Sequence, residues 1–176
     1  GNIQDIYPLA PLQEGILFHH LLEGEDGGDT YLLRSVVAFE ARERLDAFLG
    51  ALQAVIDRHD ILRSAVRWQG LTQPVQVVHR RAPLPLNELT PAAGETAMDC
   101  LMQRSDPRRH RIDLQRAPNL AAQIVFDADS GEWLLALLNH HMVCDHVTME
   151  LILGEIHLLL QGQGDLLPAP LPYRNF

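Results

Sequence analysis

The stretch EWLLALLNHH, Glu132 to His141, constrains the fold more than any other part of the chain. Every residue from Trp133 to Leu138 is apolar, and the segment turns polar at Asn139. Side chains of a strand point alternately to its two faces, so a strand that is apolar at consecutive positions must be covered on both. It is therefore an internal strand, with strands beside it and layers above and below. The preceding LAAQIVFDADSG supplies a partner strand and an Asp-Ser-Gly turn. The following VTMELILGEIHLLLQG reads as a helix. Between strand and helix lie His140, His141, Asp145 and His146. Polar groups at such a junction cost free energy unless they are paired. A strand end leading into a helix is also a rigid support from which side chains can project into a cleft.

The same alternation of strands and helices runs through the rest of the chain. Leu12, Ile16, Leu17 and Leu21, entered through Pro11, fit an amphipathic helix that carries His19 and His20 near its end. The glycine-rich LEGEDGGD breaks it. Tyr31 to Phe39 reads as a strand, and ERLDAFLGALQAVIDRHD as a helix with Leu45, Phe48, Leu49, Leu52 and Ile56 on one face. Leu62 to Trp68 and Val75 to His79 are strands joined by a turn at Gly70. After a proline-rich passage GETAMDCLMQRSD is helical, while the closing DLLPAPLPYRNF holds too many prolines for a helix. The class is α/β, a mixed sheet covered by helices. With 176 residues, 47% of them hydrophobic, the chain suits one domain or one lobe of a larger one.

The formal charge of −9, from 23 acidic against 14 basic residues, argues against a nucleic-acid surface, which needs a basic face to neutralise phosphates. Arg104, Arg108, Arg109 and Arg111 are the one local exception, and the ordinary use of such a cluster is a solvated face. Cys100 and Cys144 are too far apart to read as a metal pair or a disulfide framework, which fits packed thiols in a reducing cytoplasm. No apolar run reaches the length of a membrane span, and no charged leader precedes an apolar stretch. The expected setting is cytoplasmic, without nucleic-acid or membrane partners.

An imidazole exchanges protons near neutrality, so His141 is a candidate acid or base. No G-x-S-x-G elbow accompanies it, and Cys144 is a neighbour in sequence only. A histidine without a protein nucleophile implies direct transfer between two bound substrates. Asp145 can contact a ligand, or pair with an arginine and lock the loop that aims His141. RHDILRS offers Arg58 and Arg63 for that pair. His140, His141, Asp145 and His146 can also be drawn as metal ligands, but H-E-x-x-H is absent and adjacent histidines seldom reach one metal together, so no metal is expected.

Five segments in order resemble the condensation domains of nonribosomal peptide synthetases. YPLAPLQEGILFHH, Tyr7 to His20, looks like their first motif, RHDILRSAV, Arg58 to Val66, like the second, and NHHMVCDHV, Asn139 to Val147, like the H-H-x-x-x-D-G active-site motif. RIDLQRAPNLAAQIV matches a further family stretch, and PYRNF the start of the fourth motif. The order matters because His140 and His141 alone are a weak signal. His146 stands where the common pattern has glycine, and the later motifs are missing.

The resemblance implies a chloramphenicol acetyltransferase-like lobe. Residues 1–176 correspond to the N-terminal lobe, with the active site in the tunnel to a second lobe absent from this chain, so the isolated lobe is expected to be inactive. It implies peptide-bond formation between carrier-bound thioesters, with His141, His140 and Asp145 of the motif as the candidate catalytic residues. Partners implied are upstream donor and downstream acceptor carrier domains, the second lobe and an adenylation domain. The phosphopantetheine arm belongs to the carriers, and the domain itself needs no cofactor. His19 and His20, followed by Gly28 and Asp29, are similar to the H-H-x(n)-G-D motif of dual epimerisation/condensation domains, which invert the donor Cα before condensing it.

Plainer uses stand beside these. His141 can be a packed or capping histidine, His140 and Asp145 structural, His146 a helix cap, His19 and His20 surface residues, and Gly27 with Gly28 a helix stop. A non-catalytic module that binds a carrier or donor, and a CoA-dependent acyltransferase of the same fold, are the alternative functions.

Overall fold

The computed structural model describes residues 1–23, 31–109, 111–142, 146–167 and 170. In chain order its elements are β1 (Ile3–Pro8), α1 (Pro11–Leu22), β2 (Leu32–Phe39), α2 (Arg42–Arg58), β3 (Ser64–Arg67), β4 (Val75–His79), β5 (Leu86–Leu89), α3 (Ala97–Arg104), β6 (Leu120–Asp127), β7 (Glu132–His140) and α4 (His146–Leu160). They form two sheets rather than the single sheet expected. One has the order β2-β7-β6-β5, mixed because β5 runs parallel to β6 while the other pairs are antiparallel. The other is antiparallel, with the order β1-β4-β3.

β7 lies inside its sheet, and Leu134 to His140 are all buried. Its two faces go to different cores. Leu135 and Leu137 pack with Leu45, Leu52 and Ile56 of α2 and with Ile152 and Ile156 of α4. Leu134 and Ala136 pack with Ala97 and Leu101 of α3 and Val125 of β6. This two-sided cover is the physical reason the segment is apolar at every position. Each fully buried leucine contributes about 1.5–3 kcal/mol relative to exposure, so β7 and the helices over it are the rigid frame on which the His140–His141 turn is mounted.

Three local readings change. The inward stripe of α1 is Ile16, Leu17 and His20, whereas Leu12 and Leu21 are exposed, so the helix docks through a histidine. β1 and β5 were not expected, because neither has a buried apolar face. Ile3 and Ile6 are exposed, β5 is largely exposed after Pro83 and Pro85, and each strand exists through pairing at a sheet edge. Within the closing proline-rich segment Gly164–Leu166 makes one 3-10 turn, and PYRNF lies outside the described residues. The turns expected at Gly70 and at Asp-Ser-Gly are present, with positive φ at Gly70 and Gly131. Among the described residues no helix is long and apolar enough to cross a membrane.

Candidate active site

Sheet register places the first candidate histidines. Leu32 of β2 is paired with His140, the last residue of β7, and the ladder continues one step as the His141 N–H donates to the Tyr31 carbonyl at 2.8 Å. His141 is half-buried, and its ring stacks on Tyr31 with centroids 6.4 Å apart and planes at 22°. Among the described residues neither ring nitrogen of His141 is committed to a partner. A ring held by its backbone and its face, with nitrogens open, is suited to proton exchange with a substrate.

His140 is fully buried and differently employed. Its Nδ1 accepts the Met142 N–H at 3.0 Å, and its own N–H donates to the Asn119 carbonyl at 3.1 Å. A backbone N–H is always a donor, so the His140 proton is on Nε2. The edge of the ring meets His20 of α1 at 5.8 Å and 79°. His20 is buried too, and its Nε2 lies 2.8 Å from an Arg111 Nη2 that also donates to the His20 carbonyl. Arginine has no acceptor, which places the His20 proton on Nδ1. His19 is exposed, with its ring 6.0 Å from Tyr31.

Tyr31 thus gathers the two motif pairs, since it touches His19, His140 and His141. Sequence reasoning identifies it only as the start of a strand. The expectation that Arg111 belongs to a solvated cluster is corrected. Arg104, Arg108 and Arg109 are exposed and Arg108 pairs with Asp106 at 3.0 Å, but Arg111 turns inward onto His20. His20, Arg111, Trp68 and Gln115 line a cavity of about 540 Å³ beside the histidine cluster.

Asp145, Gly28 and Asp29 lie outside the described residues, and so does the expected pairing of Asp145 with Arg58 or Arg63. His146 is the first residue of α4. The two arginines themselves are placed. Arg63 is held by Asp60 at 2.7 Å, by Gln4 at 2.9 Å and by the carbonyls of Ile56 and His79. Arg58 reaches Glu155 of α4 at 3.2 Å, and His59 meets the other oxygen of that buried carboxylate at 2.5 Å. Sequence reasoning missed Glu155 and His59. The available signal was a carboxylate inside the apolar stripe Ile152, Glu155, Ile156, which the core cannot hold unpaired.

Cys100 is fully buried, and burial followed by the nearby Glu95 pushes its thiol pKa up, away from the thiolate a nucleophile needs. Among the described residues no group of three His, Cys, Asp or Glu side chains converges as metal ligands would.

The model of the condensation domain family matches residues 3–176. The chain is 47% identical over 176 residues to malpinin synthetase of Mortierella alpina, covering 99% of this chain and 2% of that protein. It is 28% identical over 183 residues to tyrocidine synthase 3 of Brevibacillus parabrevis, covering 99% of this chain and 3% of that one. The starter condensation domain of rhizomide synthetase RzmA has the same fold at 20% identity, with a TM-score of 0.67 over 97% of this chain and 40% of that one. This chain therefore spans a small part of such synthetases, and by sequence and by fold it belongs to the condensation domain family.

Proposed function

We propose that this segment carries the histidine lobe of a domain that forms peptide bonds between two carrier-bound thioesters in nonribosomal peptide synthesis. The observation that carries the reading is His141, fixed through its backbone to Tyr31 and presenting uncommitted ring nitrogens at the end of a buried strand. The amine of the downstream aminoacyl thioester attacks the carbonyl carbon of the upstream peptidyl thioester. A C–N bond forms, the C–S bond breaks, and the departing pantetheine sulfur ends as a thiol. An α-amine has a pKa of about 7.7–8.0, so part of it is already unprotonated at neutrality. His141 orients that amine and takes the proton released as the tetrahedral species forms. The partners are the two carrier domains, a second lobe that closes the site and an adjoining adenylation domain. The isolated lobe is inactive for want of that second wall.

Asp145 has an architectural role and pairs with Arg58 before Arg63. What supports this order is the commitment of Arg63 to Asp60, Gln4 and two carbonyls. Inversion of the donor Cα is the second activity, with His19, His20, Gly28 and Asp29 as its residues. The position of His20 against His140 beside a cavity supports it.

Both activities are tested in the full synthetase with L and D donors. His141→Ala lowers product from either donor by about a hundred to ten-thousand-fold while leaving the fold intact. His20→Ala lowers product from the L donor, slows Cα deuterium exchange, and regains condensation with the D donor. A binding module without chemistry predicts no product from the parent. A His20→Ala protein that treats both donors alike and exchanges deuterium at the parental rate removes the epimerising assignment.

A further inference from the structure

The turn that follows His141 is tied down at three points, and the third leads away from the histidines. His141 N–H is held by the Tyr31 carbonyl, Met142 N–H by His140 Nδ1, and the Met142 carbonyl by Gln13 Nε2 of α1 at 3.4 Å. Gln13 Oε1 accepts the Ala10 N–H at 3.0 Å. Two of the partners of the Gln13 amide, the Ala10 N–H and the Met142 carbonyl, are main-chain groups of fixed polarity, and they set its orientation.

That orientation decides what the next glutamine must do. Gln76 of β4 is fully buried and meets the Gln13 oxygen, so it has to present its Nε2 there. Its own Oε1 is then left buried with no hydrogen-bond partner among the described residues. A buried acceptor without a donor is destabilising, and an apolar side chain of similar volume avoids that cost. Among the described residues, what glutamine supplies at this position and an apolar residue does not is a donor to Gln13.

We infer that Gln13 and Gln76 are positioning residues for His141. From β4 through α1 they fix the Met142 carbonyl, and with it the turn from which the histidine faces the reacting amine. This rests on the condensation reading and adds residues to it that the motif histidines do not contain.

The test uses the full synthetase with Gln13→Glu, Gln76→Met and His141→Ala, each alone and each glutamine variant combined with His141→Ala. Glu at 13 keeps an acceptor for Ala10 and Gln76 but sets a carboxylate oxygen against the Met142 carbonyl. A displacement on the ångström scale can cost up to about a hundredfold in rate, so a kcat loss of roughly tenfold is expected for Gln13→Glu, with KM for the acceptor unchanged. Gln76→Met lowers kcat while its melting temperature stays level or rises, because the orphaned acceptor is gone. In the His141→Ala background neither change lowers the residual rate further.

The inference is overturned if both variants keep kcat within about twofold of the parent. It is equally overturned if Gln76→Met loses stability and rate together with the same fractional loss in the His141→Ala background, which is a purely structural result. If His141→Ala alone leaves the rate at the parental level, the condensation reading fails first, and the positioning role fails with it.

Discussion

The two histidine pairs of the molecule are sorted by the same rule on different scaffolds. Successive residues diverge by about 100° on a helix and about 180° on a strand, so neither a helix nor a strand can present adjacent histidines to one environment. On α1 the second member, His20, is inside and His19 outside; at the end of β7 the first member, His140, is inside, and His141, the residue after the strand, is at the rim. Each inner ring accepts a hydrogen bond, from Arg111 or from Met142, and the two inner rings meet edge to face. Of the outer rings, His141 stacks on Tyr31 and His19 neighbours it at a tilt of 55°. The inner rings are committed to scaffold, and among the described residues the outer rings keep their nitrogens open.

The largest expected effect separates the members of the strand pair. His141→Ala should lower condensation by about a hundred to ten-thousand-fold, the range for a general acid or base, with an unchanged denaturation midpoint. His140→Ala should do the reverse in kind. It strands the Met142 N–H, costs about 1–3 kcal/mol of stability, and lowers the rate in step with that loss. If His140→Ala melts like the parent and is as slow as His141→Ala, the division of labour is wrong.

Next comes the buried carboxylate that fixes α4 to α2. Glu155→Ala leaves His59 and Arg58 without their shared partner, and breaking a buried pair costs about 3–5 kcal/mol. Denaturant unfolding should show that loss in full, and a loss under about 1 kcal/mol would mean that the pair is no stronger than a surface one.

A smaller effect probes the helix pair. Arg111→Met removes the donor that holds His20 Nε2. A net hydrogen bond of about 1 kcal/mol corresponds to roughly a fivefold change in inversion of the L donor, with no change for the D donor. Equal changes with both donors would tie Arg111 to the general fold instead.

The smallest is a control on exposure. His19→Ala should shift stability by less than about 0.5 kcal/mol, as exposed positions do. A larger shift would show that its contact with Tyr31 supports the turn of His141, and the outer rings would then no longer be equivalent.

Much of this was legible in the residues because the relevant forces are local. The two apolar faces of β7, the inward stripe of α2, the glycine turns and the order of the motifs all follow from periodicities of two and 3.6 and from backbone preferences within a few residues. The edge strands β1 and β5 were not, since their stability comes from hydrogen bonds to β4 and β6 rather than from their own side chains.

By itself the sequence determined the class of fold, the buried strand and the helix on either side of the histidine segment, and the identity of those histidines. Tertiary structure alone decided which histidine of each pair turns inward, that Arg111 leaves its solvated cluster for His20, that Glu155 answers His59 and Arg58, and that Gln13 donates to the Met142 carbonyl and accepts from Gln76. The physical reason is range. Hydrophobic periodicity is written along neighbouring residues, whereas the direction of a hydrogen bond depends on which donor another element brings within about 3 Å, and that is fixed only when the layers have packed.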